Sequence, residues 1–279
     1  MNDTLREYLS YGKFIRPYMK YRKQIHPENV SFGGKDQYFL HFPSPCKKKN
    51  TLVLYYHGGG WNSNSPKLHA FIGQKLALEG FDCIMPNYRK VPKARFDDIL
   101  ADVVMGYRAI HRYLQEKQLH YDKIIVMGSS AGAHLGALLC HDAQLQATIG
   151  NDLAMPDAYV CLAGPVSFAQ PMTGTLRIMI KWLFNTKDTS QWAKGDPFLK
   201  LEEKPGFTQF IVQSAHDGIV GFDQAKAFHE KALSLGMDSR FYEVDDPWNT
   251  HSAYCAGIFL QDKTESKTLA HVLGAVESI

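Results

Sequence analysis

No apolar run in this sequence approaches the roughly 18 residues that a membrane-crossing helix needs, so no transmembrane segment is expected. An excess of one charge is also missing. Lys and Arg number 31 against 28 Asp and Glu, for a net charge of +3. A nucleic-acid partner calls for a stronger basic footprint, and none is expected. Cysteine is sparse: Cys46, Cys83, Cys140, Cys161 and Cys255 are odd in number and form no C-x-x-C pair. That argues against a disulfide framework or a zinc ribbon and for a reducing compartment. The five read as small buried apolar side chains. Residues 1–10 lack the charged-then-apolar plan of a secretory leader, so a cytoplasmic protein is expected. Gly58, Gly59 and Gly60 are not followed by the Lys-Ser or G-x-G-x-x-G continuation of a phosphate loop. His134 and His141 share a predicted helix but have no third ligand at convergent spacing. No cofactor and no metal are therefore expected, and both histidines read as structural or surface residues.

The composition is that of an ordinary globular chain: 279 residues, 45% hydrophobic and 21% charged. No internal repeat or low-complexity linker divides it, and 1–279 reads as one domain. From about residue 51 onward, strand-like and helix-like runs alternate. The strands are expected at 51–56, 81–88, 124–127, 158–163, 208–214 and 239–244. The helices are expected at 65–79, 96–117, 130–140, 221–235 and 264–278. Ser65-Pro66 reads as N-cap plus first helical residue. Leu100, Val103, Val104, Tyr107, Ile110 and Leu114 make one apolar stripe on the second helix. The strands are continuous apolar runs, as in a mostly parallel sheet covered by helices on both faces. Two segments fall outside the alternation. Residues 1–27 read as helical, broken near Gly12 and Pro17. Residues 165–205 read as an insertion with an apolar helical stretch at 176–184.

Gly128-Ser129-Ser130-Ala131-Gly132 is a G-x-S-x-G motif that leaves a buried strand and opens a helix. That context would expose the Ser130 hydroxyl on a sharp turn at a helix N-terminus, where negative charge is favoured. His57-Gly58-Gly59-Gly60-Trp61 follows the first parallel strand. Glycines there let the backbone approach a substrate and aim N–H groups at a developing oxyanion. The expected donors are the N–H groups of Gly59, Gly60 and Ala131. His57 reads as a residue that holds the loop by a side-chain hydrogen bond.

These two motifs in this order resemble the α/β-hydrolase superfamily, and most closely its hormone-sensitive-lipase-like esterase branch. Asn87-Tyr88-Arg89 with Pro92 is similar to that branch's D-Y-R…P stretch, with Asn87 in place of Asp. Lys93 stands where the branch has an acid. The resemblance spans about residues 50–279. It implies an α/β-hydrolase fold and a serine esterase acting on small to medium carboxylic esters through an acyl-enzyme. The superfamily's order of nucleophile, acid and histidine points to Asp217, after the strand at 208–214, and to His251, after the last strand. Asp245 and Asp246 are the fallback acids. The resemblance also makes residues 1–27 and about 165–200 a cap, whose Tyr8, Phe14, Tyr18, Trp182 and Phe184 would wall an apolar pocket.

The expected partner is a small-molecule ester. Membrane contact by residues 1–27 is not expected, and a homo-oligomer is left open. The motifs also resemble arylformamidases, so an amide hydrolase is an alternative, as is a carbohydrate acetyl esterase. A ligand-binding pseudo-hydrolase is the non-enzymatic alternative.

Overall fold

The structure is a computed structural model, and it describes residues 3–10, 26–46, 49–244 and 250–279. Its centre is an eight-stranded sheet. The strands are β1 (Glu28–Ser31), β2 (Tyr38–Phe42), β3 (Thr51–Tyr56), β4 (Asp82–Pro86), β5 (Lys123–Ser129), β6 (Ala158–Leu162), β7 (Thr208–Gln213) and β8 (Asp238–Glu243). Their spatial order is β1-β2-β4-β3-β5-β6-β7-β8. β1, β2 and β4 pair antiparallel, and every pairing from β4 through β3 to β8 is parallel.

The helices explain why the central strands are apolar on both faces. Leu52, Leu54 and Tyr56 of β3 and Ile124 and Val126 of β5 point into one core. Val53, Tyr55, Ile125 and Met127, the alternate residues, point into the other. This is the two-residue period of a strand, with apolar residues needed at both phases because helices cover both sides. The first core is closed by α3 (Phe96–Glu116) and α4 (Ala131–His141). The second is closed by α2 (Ala70–Leu78) and α10 (Lys267–Ser278). α3 uses the stripe read from its sequence, and Asp98 fixes its start by accepting from the Arg95 N–H at 2.9 Å. α4 is rich in Gly and Ala because it lies close on the sheet. A Cβ at Gly136 would sit 2.9 Å from Val126 Cγ1.

The remaining helices are α1 (Asp3–Ser10), α5 (Ala143–Ile149), α6 (Gly174–Phe184), α7 (Pro197–Lys200), α8 (Phe222–Ser234) and α9 (His251–Cys255), with 3-10 turns at Thr189–Gly195 and Gly257–Leu260. Among the described residues, no helix is long and apolar enough to cross a membrane.

Several expectations are corrected. The sheet begins earlier than residue 51, since β1 and β2 add an antiparallel edge. The helix expected from Ser65 begins at Ala70. The Ser65 carbonyl accepts from Leu68 and His69 N–H in a preceding turn, and His69 is the N-cap. Cys46 is exposed, unlike the other four cysteines. His134 and His141 are both buried, which removes the surface reading. The predicted break at Gly12 and Pro17 and the fallback acids Asp245 and Asp246 lie outside the described residues.

Candidate active site

Ser130 sits between β5 and α4 with φ 52° and ψ −121°. A non-glycine residue pays a strain cost there, and such strain concentrates at functional sites. Both motif glycines are sterically required. An added Cβ at Gly132 would run into the Tyr56 carbonyl, and one at Gly128 would lie 2.5 Å from the Gly132 backbone. The Ser130 N–H donates to the Leu162 carbonyl at 2.8 Å, anchoring the turn to the neighbouring strand.

A hydrogen-bonded chain leaves the Ser130 hydroxyl. Ser130 Oγ lies 2.8 Å from His251 Nε2, and His251 Nδ1 lies 2.8 Å from Asp217 Oδ2. A carboxylate only accepts, so Nδ1 carries the proton and Nε2 is left to accept from Ser130. Burial would lower the His251 pKa, but the charge and hydrogen bond of Asp217, with a further contribution from the Glu7 charge, hold it above the ordinary value. Asp217 is itself buried and over-supplied with donors. Its Oδ1 accepts from the Ile219 and Val220 N–H groups, each at 2.8 Å. Its Oδ2 also accepts from Tyr254 Oη at 2.5 Å and from Gln213 Nε2 at 3.3 Å. Burial, and then the Asp217 charge, push the Tyr254 phenol well up, so it remains a donor.

The glycine loop faces Ser130. Gly59 has φ 123° and Gly60 φ 56°. A Cβ at Gly59 would lie 2.5 Å from the Ser63 carbonyl, and one at Gly60 3.0 Å from Met179 Sδ. The Gly59 carbonyl accepts from Asn62 N–H, Ser63 N–H and Ser63 Oγ at 2.9–3.1 Å, which turns the loop back on itself. The N–H groups of Gly59, Gly60 and Ala131 donate to no acceptor among the described residues. Ser129 joins this loop to the turn at Ser130. Its Oγ accepts from the Gly58 N–H at 3.2 Å and from Tyr55 Oη at 2.8 Å.

His57 holds the loop as expected. Burial first, and then the Lys90 charge, keep its pKa well below the usual value, so the ring is neutral. Its single N–H goes to the nearer acceptor, the Gly58 carbonyl, 2.7 Å from Nδ1. The ring stacks on Tyr88 with centroids 4.6 Å apart. Asn87 Oδ1 lies 3.2 Å from Nε2 and accepts from Lys90 Nζ at 2.9 Å. A lysine therefore contacts the position where the resembling branch carries an acid.

Ser130, His251 and the loop glycines open on one cavity of ≈ 530 Å³. Asn62, Asn64 and His69 line one side, and Phe71, Met179 and Leu260 supply apolar surface. The expected aromatic wall is corrected. Trp182 is half exposed, and Phe184 stacks on Phe96 with centroids 4.6 Å apart. Met179, on the same helix α6, is the residue that reaches the cavity. Phe14, Tyr18 and the Tyr8 side chain lie outside the described residues. The insertion is tied to α4 by His134 Nε2, which donates to the Gly195 carbonyl at 2.8 Å. His141 packs edge-on against Tyr159, Phe207 and Phe228. No group of three or more His, Cys, Asp or Glu side chains suited to a metal ion occurs among the described residues.

Sequence reasoning missed Tyr254, Tyr55, the linking role of Ser129, and Glu7, whose Oε1 accepts from the Ser252 N–H at 3.0 Å. Only Ser129 lay inside a motif.

The sheet order, the serine on its strand–turn–helix and the glycine loop after β3 are those of the α/β-hydrolase fold. A family model described as BD-FAE matches residues 40–232, and the chain belongs to that family. An esterase of Fusarium pseudograminearum (strain CS3096) is 26% identical over 230 residues, covering 76% of this chain and 68% of the relative. Esterase LipQ of Mycobacterium tuberculosis (strain ATCC 25618 / H37Rv) is 22% identical over 281 residues, covering 93% of this chain and 64% of that protein. The chain thus spans about two thirds of the length of these relatives. Among solved structures, the Francisella virulence factor BioJ superposes with a TM-score of 0.76 at 17% identity, covering 100% of this chain and 93% of that one.

Proposed function

We propose that the protein is a serine esterase that hydrolyses small to medium carboxylic esters through an acyl-enzyme. The observation that carries this reading is the unbroken chain from Ser130 through His251 to Asp217, 2.8 Å at each link, opening on the cavity that the glycine loop lines. Ser130 Oγ attacks the ester carbonyl while His251 Nε2 takes its proton. Asp217 holds the Nδ1–H tautomer and stabilises the imidazolium that forms. The carbonyl oxygen becomes an oxyanion and is met by the N–H groups of Gly59, Gly60 and Ala131, donors with no competing acceptor among the described residues. His251 then returns the proton to the leaving alcohol. A water attacks the acyl-enzyme by the same route, with His251 again the base. The esterase names of the relatives support the reaction class. The cavity volume supports an ester of modest size.

The test is Ser130→Ala with short nitrophenyl esters, together with fluorophosphonate labelling of the unmodified protein. The expected result is loss of all but background turnover in the variant and a single adduct on Ser130. Retained hydrolysis by Ser130→Ala, or labelling elsewhere, overturns the proposal.

A further inference from the structure

The helix that carries His251 is short, and Thr250 at its N-cap supplies no side-chain cap. Its first turn is instead held from the other end of the chain. Glu7, on α1, is fully buried, and its Oε1 accepts from the Ser252 N–H at 3.0 Å. The other face of α1 is open, with Leu5 and Leu9 exposed, so the carboxylate and not the leucines points inward. An apolar core has no use for a buried carboxylate unless it serves the polar groups around it. One such group, the Ser252 N–H, belongs to the helix that starts with His251. Glu7 is not part of the cavity lining.

We propose that Glu7 is a positioning residue for the base: through the Ser252 N–H it clamps the first turn of the His251 helix, and so holds a second carboxylate one residue along the chain from the imidazole. The inference rests on the reading of His251 as the base. When His251 takes the Ser130 proton, positive charge appears on the ring. Asp217 answers that charge through a direct hydrogen bond, and Glu7 answers it from one residue further along the helix. Among the described residues, the charged or titratable groups around the imidazole are Asp217, Tyr254, Cys255 and Glu7. α1 also carries Asp3 and Arg6, paired with one another at 3.6 Å, and Asp3 lies 3.9 Å from His216 Nδ1. The direction of the His251 shift agrees, since the Glu7 charge adds to Asp217 in raising it.

Two full-length variants test this, Glu7→Gln and Glu7→Met. Glu7→Gln keeps an oxygen for the Ser252 N–H and removes only the charge. Glu7→Met keeps the volume and removes both. The readouts are kcat, KM and the pH profile of kcat/KM with a nitrophenyl ester, beside circular dichroism and a urea midpoint. In Glu7→Gln the acid limb of the profile should move to lower pH by about half a unit to one unit. Its kcat should fall about 3- to 30-fold with KM within twofold. Glu7→Met should show the same displacement and a larger loss of kcat. A purely structural role would lower the amount of active enzyme and leave the limb where it is. A folded Glu7→Gln with an unmoved acid limb and unchanged kcat overturns the proposal. Failure of both variants to fold also overturns it, by assigning Glu7 to stability alone. Failure of the underlying reading is seen separately, as turnover by Ser130→Ala in the same assay.

Discussion

Replacing Asp217 by Asn tests the centre of the site, because this carboxylate is surrounded by donors alone. Ile219 N–H and Val220 N–H meet Oδ1 at 2.8 Å, while His251 Nδ1, Tyr254 Oη and Gln213 Nε2 meet Oδ2 at 2.8, 2.5 and 3.3 Å. An amide has one oxygen to offer them. If that oxygen turns to His251, the NH₂ group confronts two backbone donors that cannot move. Each stranded buried N–H costs about 1–3 kcal/mol, so this orientation costs about 2–6 kcal/mol. If the oxygen stays with the backbone, the NH₂ group faces His251. The ring can then move its proton from Nδ1 to Nε2, and the Tyr254 hydroxyl can rotate to accept. The second orientation is cheaper, and it is the one expected. Its price is chemical: Nε2–H now faces Ser130 and cannot take a proton. A tautomer fixed the wrong way lowers kcat by about 10⁴, or roughly 5 kcal/mol of barrier. Steady-state hydrolysis of a nitrophenyl ester and a urea midpoint for Asp217→Asn together decide the point. A folded variant whose kcat stays within about tenfold of the parent would refute the assigned tautomer and, with it, the role of Asp217.

Gly132→Ala should not yield a stable fold, because the added methyl collides with the Tyr56 carbonyl and backbone cannot step aside cheaply. A loss of about 4 kcal/mol or more is expected, read as insoluble expression or a collapsed urea midpoint, and a normal midpoint would contradict it. Stability should also fall in mild acid. Burial lowers the pKa of His69 and His134 to about 4, that of His141 to about 3, and that of His57 well below its usual value. Unfolded, each binds a proton near pH 6.5, so between about pH 6.5 and 4 the unfolded chain holds more protons and stability drops as pH falls, by up to about 1.4 kcal/mol per pH unit per histidine. His251 has the opposite sign, since its raised pKa gives a contribution present below about pH 6.5 and lost as pH rises through its folded value; Asp196, raised by burial to about 6, shares that sign, so two residues stand against four. Urea midpoints at pH 7 and pH 5 measure the balance, and equal midpoints would show that these histidines take up no protons on unfolding.

The turn at Ser130 was legible because two signals coincide at it: an apolar run fit for a doubly covered strand and a glycine pattern fit for a sharp exit. Asp217 and His251 were chosen by position along the chain, which the strand order carries into space without any local peculiarity of their own. Tyr254 escaped because its partner lies far away in sequence and a tyrosine in a helix marks nothing. Glu7 escaped for the same reason, and more so, since it reaches its helix from 245 residues away. β1 was missed because Glu-Asn-Val-Ser is short and polar, with little burial. The pocket wall was misassigned because 176–184 is apolar nearly all round. Leu176, Ile180 and Leu183 take the core, and only the rotation of the packed helix brings Met179, and not Trp182, toward Gly60. Apolar content says that a helix packs; it does not say which flank looks at the chemistry.

Ser129 has a consequence for how this protein could diverge or be rebuilt. One hydroxyl fastens the segment at Gly58 to the turn beside Ser130, and Tyr55 fastens that hydroxyl. On the proposed reading, the attacking oxygen and the cradle for the charge it creates therefore travel as a single cassette. A transplanted glycine loop would arrive out of alignment unless this serine and its phenol came with it, whereas the rim at Asn62 and Asn64 lies outside the fastening and is free to change what the enzyme accepts.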